Sequence, residues 1–325
     1  MHLPDGFLDV KTAVATGLFS ATGLGAALRH AGRHLKPRKI PLIGLTAAFI
    51  FVAQMLNFPV ASGTSGHLLG STFAAVLLGP SAAIIVMSSV LIVQSLIFAD
   101  GGILALGANI FNMAIVAPLV GYGVYRALRL FLRGGQGQLV AVGFASWFST
   151  VVAAIFCAGE LAWSGTANWR AAFPAMAGTH MLTGLAEAAI TMLIIAAVGR
   201  TRPELVTDVD NSAASSSGRS TTLVYCALIV IGLFLLVAPH ASPLPDGLEK
   251  VAAELGFEHN AVSNPVVSSP LKDYQIPGIQ SASTATIAAG AVGAIAVFAL
   301  SFLLARVLLP RQKSDAHTSV SPNHQ

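Results

Sequence analysis

Residues 68–98 read LLGSTFAAVLLGPSAAIIVMSSVLIVQSLIF, and the number of times this run crosses a bilayer sets the topology of the whole chain. It is apolar almost throughout, yet Gly79-Pro80-Ser81 interrupts it. Proline lacks the amide proton a helix needs and clashes with the turn before it, so a helix ends there or kinks. The residues ahead of the break make only about 17 Å of helix, against a hydrocarbon core of about 30 Å. The run is therefore one kinked span or a tight hairpin of two. Lys and Arg decide between them. They cluster at Arg29–Lys39, at Arg126–Arg133, at Arg200–Arg219 and at Arg306–Lys313. Positive loops stay in the cytoplasm, and only the hairpin puts all four clusters on one side.

With that choice the apolar runs give nine spans, near residues 8–28, 41–57, 68–79, 81–98, 103–128, 138–159, 173–198, 222–238 and 284–308. The expected fold is an all-α membrane protein, N-terminus outside and C-terminus cytoplasmic. Composition agrees. Of 325 residues 54% are hydrophobic and 10% charged, with mean hydropathy +0.74, whereas a soluble domain carries about 25% charged residues. The excess of cations belongs to the loops and calls for no nucleic acid; the partner this composition demands is membrane lipid. Cys157 and Cys226 each lie in an apolar run, which argues against a disulfide or a thiolate site. No basic n-region or small-residue cleavage site marks a signal peptide.

The outer side then gathers the candidate chemistry. The chain begins Met1-His2-Leu3-Pro4-Asp5-Gly6-Phe7. The Met1 α-amine, the His2 backbone nitrogen and the His2 imidazole Nδ1 can close five- and six-membered rings on one metal. Three nitrogens in a plane suit tetragonal Cu(II), Ni(II) or low-spin Co(II), not zinc or magnesium. Pro4-Asp5-Gly6 forms a turn able to aim the terminus back at the protein. A frayed terminus is the ordinary alternative. His67 follows the small, polar stretch 58–67 on the same side. Its imidazole can supply a fourth in-plane nitrogen, or simply hydrogen-bond at a helix start.

The blocks MHLPDGF at 1–7, SGTSGHLLGSTFAAVLLGPSA at 62–82, VQSLIFADGGILALGANIFNMA at 93–114 and GTHMLTGLAEAAIT at 178–191 resemble the CbiM/NikM proteins. These are the substrate-binding (S) components of nickel/cobalt energy-coupling-factor (ECF) transporters. The resemblance covers about residues 1–200. It implies seven helices, a terminus tucked into the bundle, and Ni²⁺ or Co²⁺ held by the Met1 amine, the His2 nitrogen and imidazole, and His67. It implies as partners a transmembrane coupling (T) subunit and ATPase subunits. Residues 201–221 read as a cytoplasmic linker. Residues 222–310 form a two-span unit with an outer loop at 239–283, where Pro245-Asp246-Gly247-Leu248-Glu249 resembles the PDGLE domain, a relative of the CbiN/NikN accessory subunits. That unit is expected to assist metal loading, with its loop near the N-terminal site. Residues 311–325 read as a disordered tail.

Other polar residues have two readings each. Asp5 can accept from a ligating imidazole or cap the first helix, with the cap preferred. Ser62, Thr64 and Ser65 can support the ligands or shape their own loop. His180 and Glu187 lie two turns apart on one face of the seventh span, where ionisable groups point to function, although a buried pairing suits Glu187 better. Gly23, Ala27 and Ala31 form a small-residue face for a partner helix or for packing within the bundle. No Gly-x-x-x-x-Gly-Lys-[Ser/Thr] phosphate loop and no His-Glu-x-x-His zinc motif occurs. The chain is thus read as a non-enzymatic subunit that carries metal as cargo, uses no organic cofactor and draws energy from partners. An autonomous channel or secondary carrier is the rival, and it would want several ionisable groups along a path.

Overall fold

A computed structural model describes residues 1–60, 63–205, 242, 244–262 and 268–308. It is helical, and each of the first seven expected spans falls on a helix. Asp9, not Asp5, starts the first of these, α1 (Val10–His34), by accepting from the Thr12 amide at 2.9 Å. The second, α2 (Ile40–Met55), is followed by two short antiparallel strands, β1 (Phe58–Pro59) and β2 (Ser65–Gly66). Then come α3 (Ser71–Leu78) and α4 (Pro80–Val93), which runs into a π-helical turn at Gln94–Phe98.

The hairpin at 79–81 is present. Gly79 closes α3 with φ +95°, donating its amide to Ala75, and Pro80 occupies the first turn of α4, where its missing N–H is no loss. At about 12 Å, α3 alone is too short to cross a membrane core. The segment that leads into it runs from strand β2 to Gly70, whose φ is +76°, and places half-buried His67 just ahead of α3.

The bundle continues with α5 (Leu106–Asn109), a π-helical stretch (Ile110–Val116) and α6 (Ala117–Arg129) as one rod, then α7 (Gly134–Trp163) and α8 (Trp169–Thr201). In the accessory region the described α-helices are α9 (Gly247–Leu255) and α10 (Ala282–Leu308). The expected span 222–238 and the tail 311–325 lie outside the described residues, as does most of the linker. Among the described residues, five helical stretches are long and apolar enough to cross a membrane: Pro80–Phe98, Leu106–Arg129, Gly134–Trp163, Trp169–Thr201 and Ala282–Val307.

Two packings position the site. α10 lies along α2 and touches α4, tying the accessory unit to the first helices. α9 is seated on α8 by Leu248, Val251 and Ala252, all buried. The small-residue face of α1 packs within the bundle: Ala27 and Ala31 are buried, and Ile115 lies directly over Gly23.

Candidate metal centre

The first seven residues thread into the bundle as a plug. Leu3 is wholly buried and Phe7 nearly so. Asn109 grips Leu3 with both ends of its amide, accepting from Leu3 N at 2.8 Å and donating to Leu3 O at 3.0 Å. Gly102 donates to the same carbonyl at 2.8 Å. A Cβ on Gly102 would sit 2.0 Å from Asp5 Oδ1, so only glycine lets the plug pass this close. Asp5 accepts from the amides of Leu104 and Ala105 at 2.8 and 3.2 Å. Both readings of Asp5 are therefore corrected: it neither caps α1 nor orients an imidazole, because the backbone after Gly101-Gly102 takes its carboxylate.

Threading brings the terminus to His67. The Met1 nitrogen lies 3.2 Å from His67 Nε2 across 66 residues of sequence. The His67 Nδ1 faces the Leu68 carbonyl at 3.4 Å, so Nδ1 carries the ring proton and Nε2 presents its lone pair to the amine. Removal from water, then the Met1 ammonium and His2, push the His67 imidazole down to about 3, against the pull of Asp246 and Asp100. It is a neutral ring, as a metal ligand must be. The His2 ring stacks parallel to it, with centroids 5.1 Å apart.

The structure departs from the expected chelate at His2. Its Nδ1 lies 2.9 Å from Asp100 Oδ1, and a carboxylate only accepts, so here Nδ1 carries a proton. His2 Nε2 is buried with no hydrogen-bond partner. Asp100 in turn accepts from the Tyr274 hydroxyl at 2.5 Å. Burial would raise the Asp100 carboxyl, but His2, Tyr274 and His67 together hold it well below the usual carboxylate range.

A second carboxylate sits on the amine. Asp246 Oδ2 lies 2.6 Å from the Met1 nitrogen, and the two groups are 14% and 4% exposed. Burial opposes its ionisation, yet the Met1 ammonium, His67 and the hydrogen bonds from the terminus and Glu249 keep it well below its ordinary value. Asp246 belongs to the Pro-Asp-Gly-Leu-Glu stretch, where it caps α9 in a reciprocal box with Glu249.

Thr64 and Ser65 serve this same stretch. Ser65 Oγ donates to the Leu244 carbonyl at 2.6 Å, Ser65 N to Pro245 O at 2.8 Å, and Thr64 Oγ1 reaches Pro245 O at 3.4 Å. Both dock the accessory segment that carries Asp246. Ser62 lies outside the described residues. Glu187 is buried and accepts from the amides of Leu69 and Gly70 at 2.6 and 3.0 Å, which fixes the segment just after His67. His180, also buried, donates from Nδ1 to the Met176 carbonyl at 2.9 Å. It lines a cavity of about 30 Å³ together with Met1, His67, Glu187, Asp246 and Gly247.

No three His, Cys, Asp or Glu side chains come together as a cage among the described residues. Sequence reasoning assigned no site role to Asp100, Asp246 or Tyr274. An aspartate inside an apolar run, followed by Gly101-Gly102, was the available signal for the first.

Residues 2–205 match the family model of CbiM, the cobalt uptake substrate-specific transmembrane region, and residues 220–309 match that of the PDGLE domain. The chain belongs to the CbiM family. Within this CbiM-type chain the PDGLE part is the accessory unit whose Asp246 meets Met1. One relative is an Archaeoglobus fulgidus protein provisionally named as a fused nickel transport protein, NikMN; it is 38% identical over 94% of this chain and 98% of its own length. The fused nickel transport protein NikMN of Rhodobacter capsulatus is 34% identical over 83% and 82% of the two chains. The cobalt transport protein CbiM of Geobacter sulfurreducens is 29% identical over 98% and 93%. A crystal structure of a truncated transition metal transporter superposes with TM-score 0.57 at 32% identity, covering 62% of this chain and 99% of that one.

Proposed function

We propose that this multi-pass membrane protein captures Ni²⁺, with Co²⁺ as its competitor, and delivers it for uptake as the substrate component of an ATP-driven ECF transporter. The observation that carries this reading is the approach of the Met1 nitrogen to His67 Nε2 at 3.2 Å. A terminal amine and a neutral imidazole meet inside a plug that Asn109 and Gly102 hold in place. The ligand set we assign is the Met1 amine, the His2 backbone nitrogen and Nδ1, and His67 Nε2. Four nitrogens in a plane favour nickel over cobalt by the affinity order, and the named function of the fused relatives supports the same choice.

In the arrangement described, His2 Nδ1 rests on Asp100. Loading therefore requires Nδ1 to leave Asp100 and turn toward the amine. Coordination displaces the amine, amide and ring protons, and Asp100 and Asp246 remain beside the ion as balancing charge. The charge pattern of the loops supports an N-terminus outside and a C-terminus in the cytoplasm, so capture is from the outer face. Movement across the membrane then depends on a coupling subunit and a pair of ATPases.

The rival reading, an autonomous channel or carrier, requires uptake without partners. Elemental analysis of the purified chain, with uptake measured in cells with and without the coupling and ATPase subunits, tests the proposal. Bound nickel and strictly partner-dependent uptake are expected. Undiminished uptake by this chain alone overturns the transporter-subunit reading.

A further inference from the structure

The capping box at 246–249 explains one half of the Asp246 carboxylate and leaves the other half doing something else. Oδ1 accepts from the amides of Leu248 and Glu249 at 2.8 and 2.9 Å, which is an ordinary helix cap. Oδ2 does not face the helix. It faces the first atom of the chain, 245 residues away, at 2.6 Å. The cap makes Oδ2 a fixed point, because two amides hold its partner oxygen and Glu249 Oε2 accepts from the Asp246 amide at 2.8 Å. α9 is itself pinned. Its residues Leu248, Val251 and Ala252 are buried, Ser65 holds the Pro245 carbonyl, and a Cβ on Gly247 would lie 2.9 Å from the His180 ring. The terminal amine has no such rigidity of its own. It swings about one bond, and its direction is set by what accepts its protons.

We propose that Asp246 is a positioning residue of the metal site: its carboxylate, held by the accessory helix, orients the Met1 amine toward His67. This rests on the ligand set assigned above. A metal-bound amine keeps two hydrogens, and one of them still donates to Oδ2. The arrangement is the amine counterpart of the carboxylate that orients a metal-bound histidine, where losing the partner typically costs about 10–100-fold in affinity. The accessory unit is thus part of the binding site, and the site spans both family units of the chain.

Asp246→Asn separates this role from capping. Asparagine caps a helix as well as aspartate does, but its amide nitrogen cannot accept from the amine. Asp246→Ala removes both roles. Full-length protein in one detergent is titrated with NiCl₂ by calorimetry, and the ligand-field absorption of the nickel-loaded forms is recorded. A chain with one alanine added before Met1 is carried alongside. Both Asp246 variants are expected to bind about 10–100-fold more weakly. The Asn variant should melt like the wild type, and its nickel band should move to longer wavelength because the amine has become a weaker donor. Wild-type affinity in Asp246→Asn with weakening only in Asp246→Ala makes Asp246 a cap alone and overturns the proposal. Tighter binding by Asp246→Asn makes the ion pair a lock that competes with metal, and also overturns it. If the alanine-extended chain binds as tightly as the wild type, the ligand set itself is wrong and the proposal falls with it. If that chain loses binding while Asp246→Asn keeps it, only the positioning role is refuted.

Discussion

Adding a single alanine before Met1 tests the site at its covalent root. The extension turns a terminal amine into an amide, whose proton is far harder to displace, and removes the positive partner of Asp246. The Met1–Asp246 pair lies 2.6 Å apart with its members 4% and 14% exposed. Breaking a buried pair by deleting one partner costs about 3–5 kcal/mol. Taken wholly as lost occupancy of the seated terminus, that is about two to nearly four orders of magnitude in apparent affinity. Sterics act in the same direction. The cavity beside Met1 measures about 30 Å³, room for about two waters, so an added residue crowds the seated terminus. The assay is nickel titration of the full chain in detergent, against a control extended by the same alanine after Gln325. The control should bind like the parent, and the N-terminally extended chain should fall below detection or weaken at least 100-fold. Affinities within threefold of each other would refute the argument, and the plug would then be a structural element with no part in binding.

The remaining expectations are simpler. His67→Ala removes an in-plane nitrogen, so it should weaken nickel binding by more than the roughly 10–100-fold that loss of a supporting partner costs, with membrane insertion unchanged; equal stoichiometry and affinity in the purified variant would refute its role. Binding should weaken as pH falls from about 8 to 5, because displaced protons compete. His67 should contribute nothing to that competition: with its pKa lowered from 6.5 to about 3, the folded protein holds no proton there across that window. The stability this neutral ring brings is complete above 6.5 and is lost as pH falls toward 3. Proton release measured by calorimetry in two buffers should match an uncharged residue at 67, and an extra proton appearing near pH 6 would contradict it. Glu187→Gln leaves one of the Leu69 and Gly70 amides facing an NH₂ group, an unsatisfied buried donor worth about 1–3 kcal/mol, visible as a lowered unfolding midpoint in detergent. An unchanged midpoint would mean that this anchor is dispensable.

The helices were legible because the signals that make them are local. Gly79-Pro80 ends one helix and starts the next by backbone chemistry alone, and each apolar run of span length within the described residues falls on a helix. The approach of Met1 to His67 was legible too, from residue types and from which side of the membrane they share. Asp5 was misread because two aspartates precede α1, and the one three residues before Thr12 wins the cap. Nothing near Asp5 in sequence indicates that the backbone at 104–105 comes to it from a hundred residues away. Asp246 was quoted as part of a motif yet given no role at the metal. A capping box is a local pattern, whereas the use of its second oxygen depends on how α9 docks against α8. Tyr274 is hidden for the same reason: its hydroxyl meets Asp100 only because α10 returns along α2.

The pairing of residue 1 with residue 246 also sets a clock on biogenesis. Chains emerge from the ribosome at about 5–20 residues per second, so the carboxylate that holds the amine is made roughly 12–50 s after the amine itself. Through that interval the bundle can insert and its helices can pair, while the terminus waits for a partner that does not yet exist. A ribosome that stalls before the PDGLE stretch leaves a chain in which Asn109 and Gly102 can already hold Leu3 while the Met1 amine lacks its carboxylate, so the Met1–Asp246 pair is a built-in mark that synthesis ran at least as far as the accessory unit.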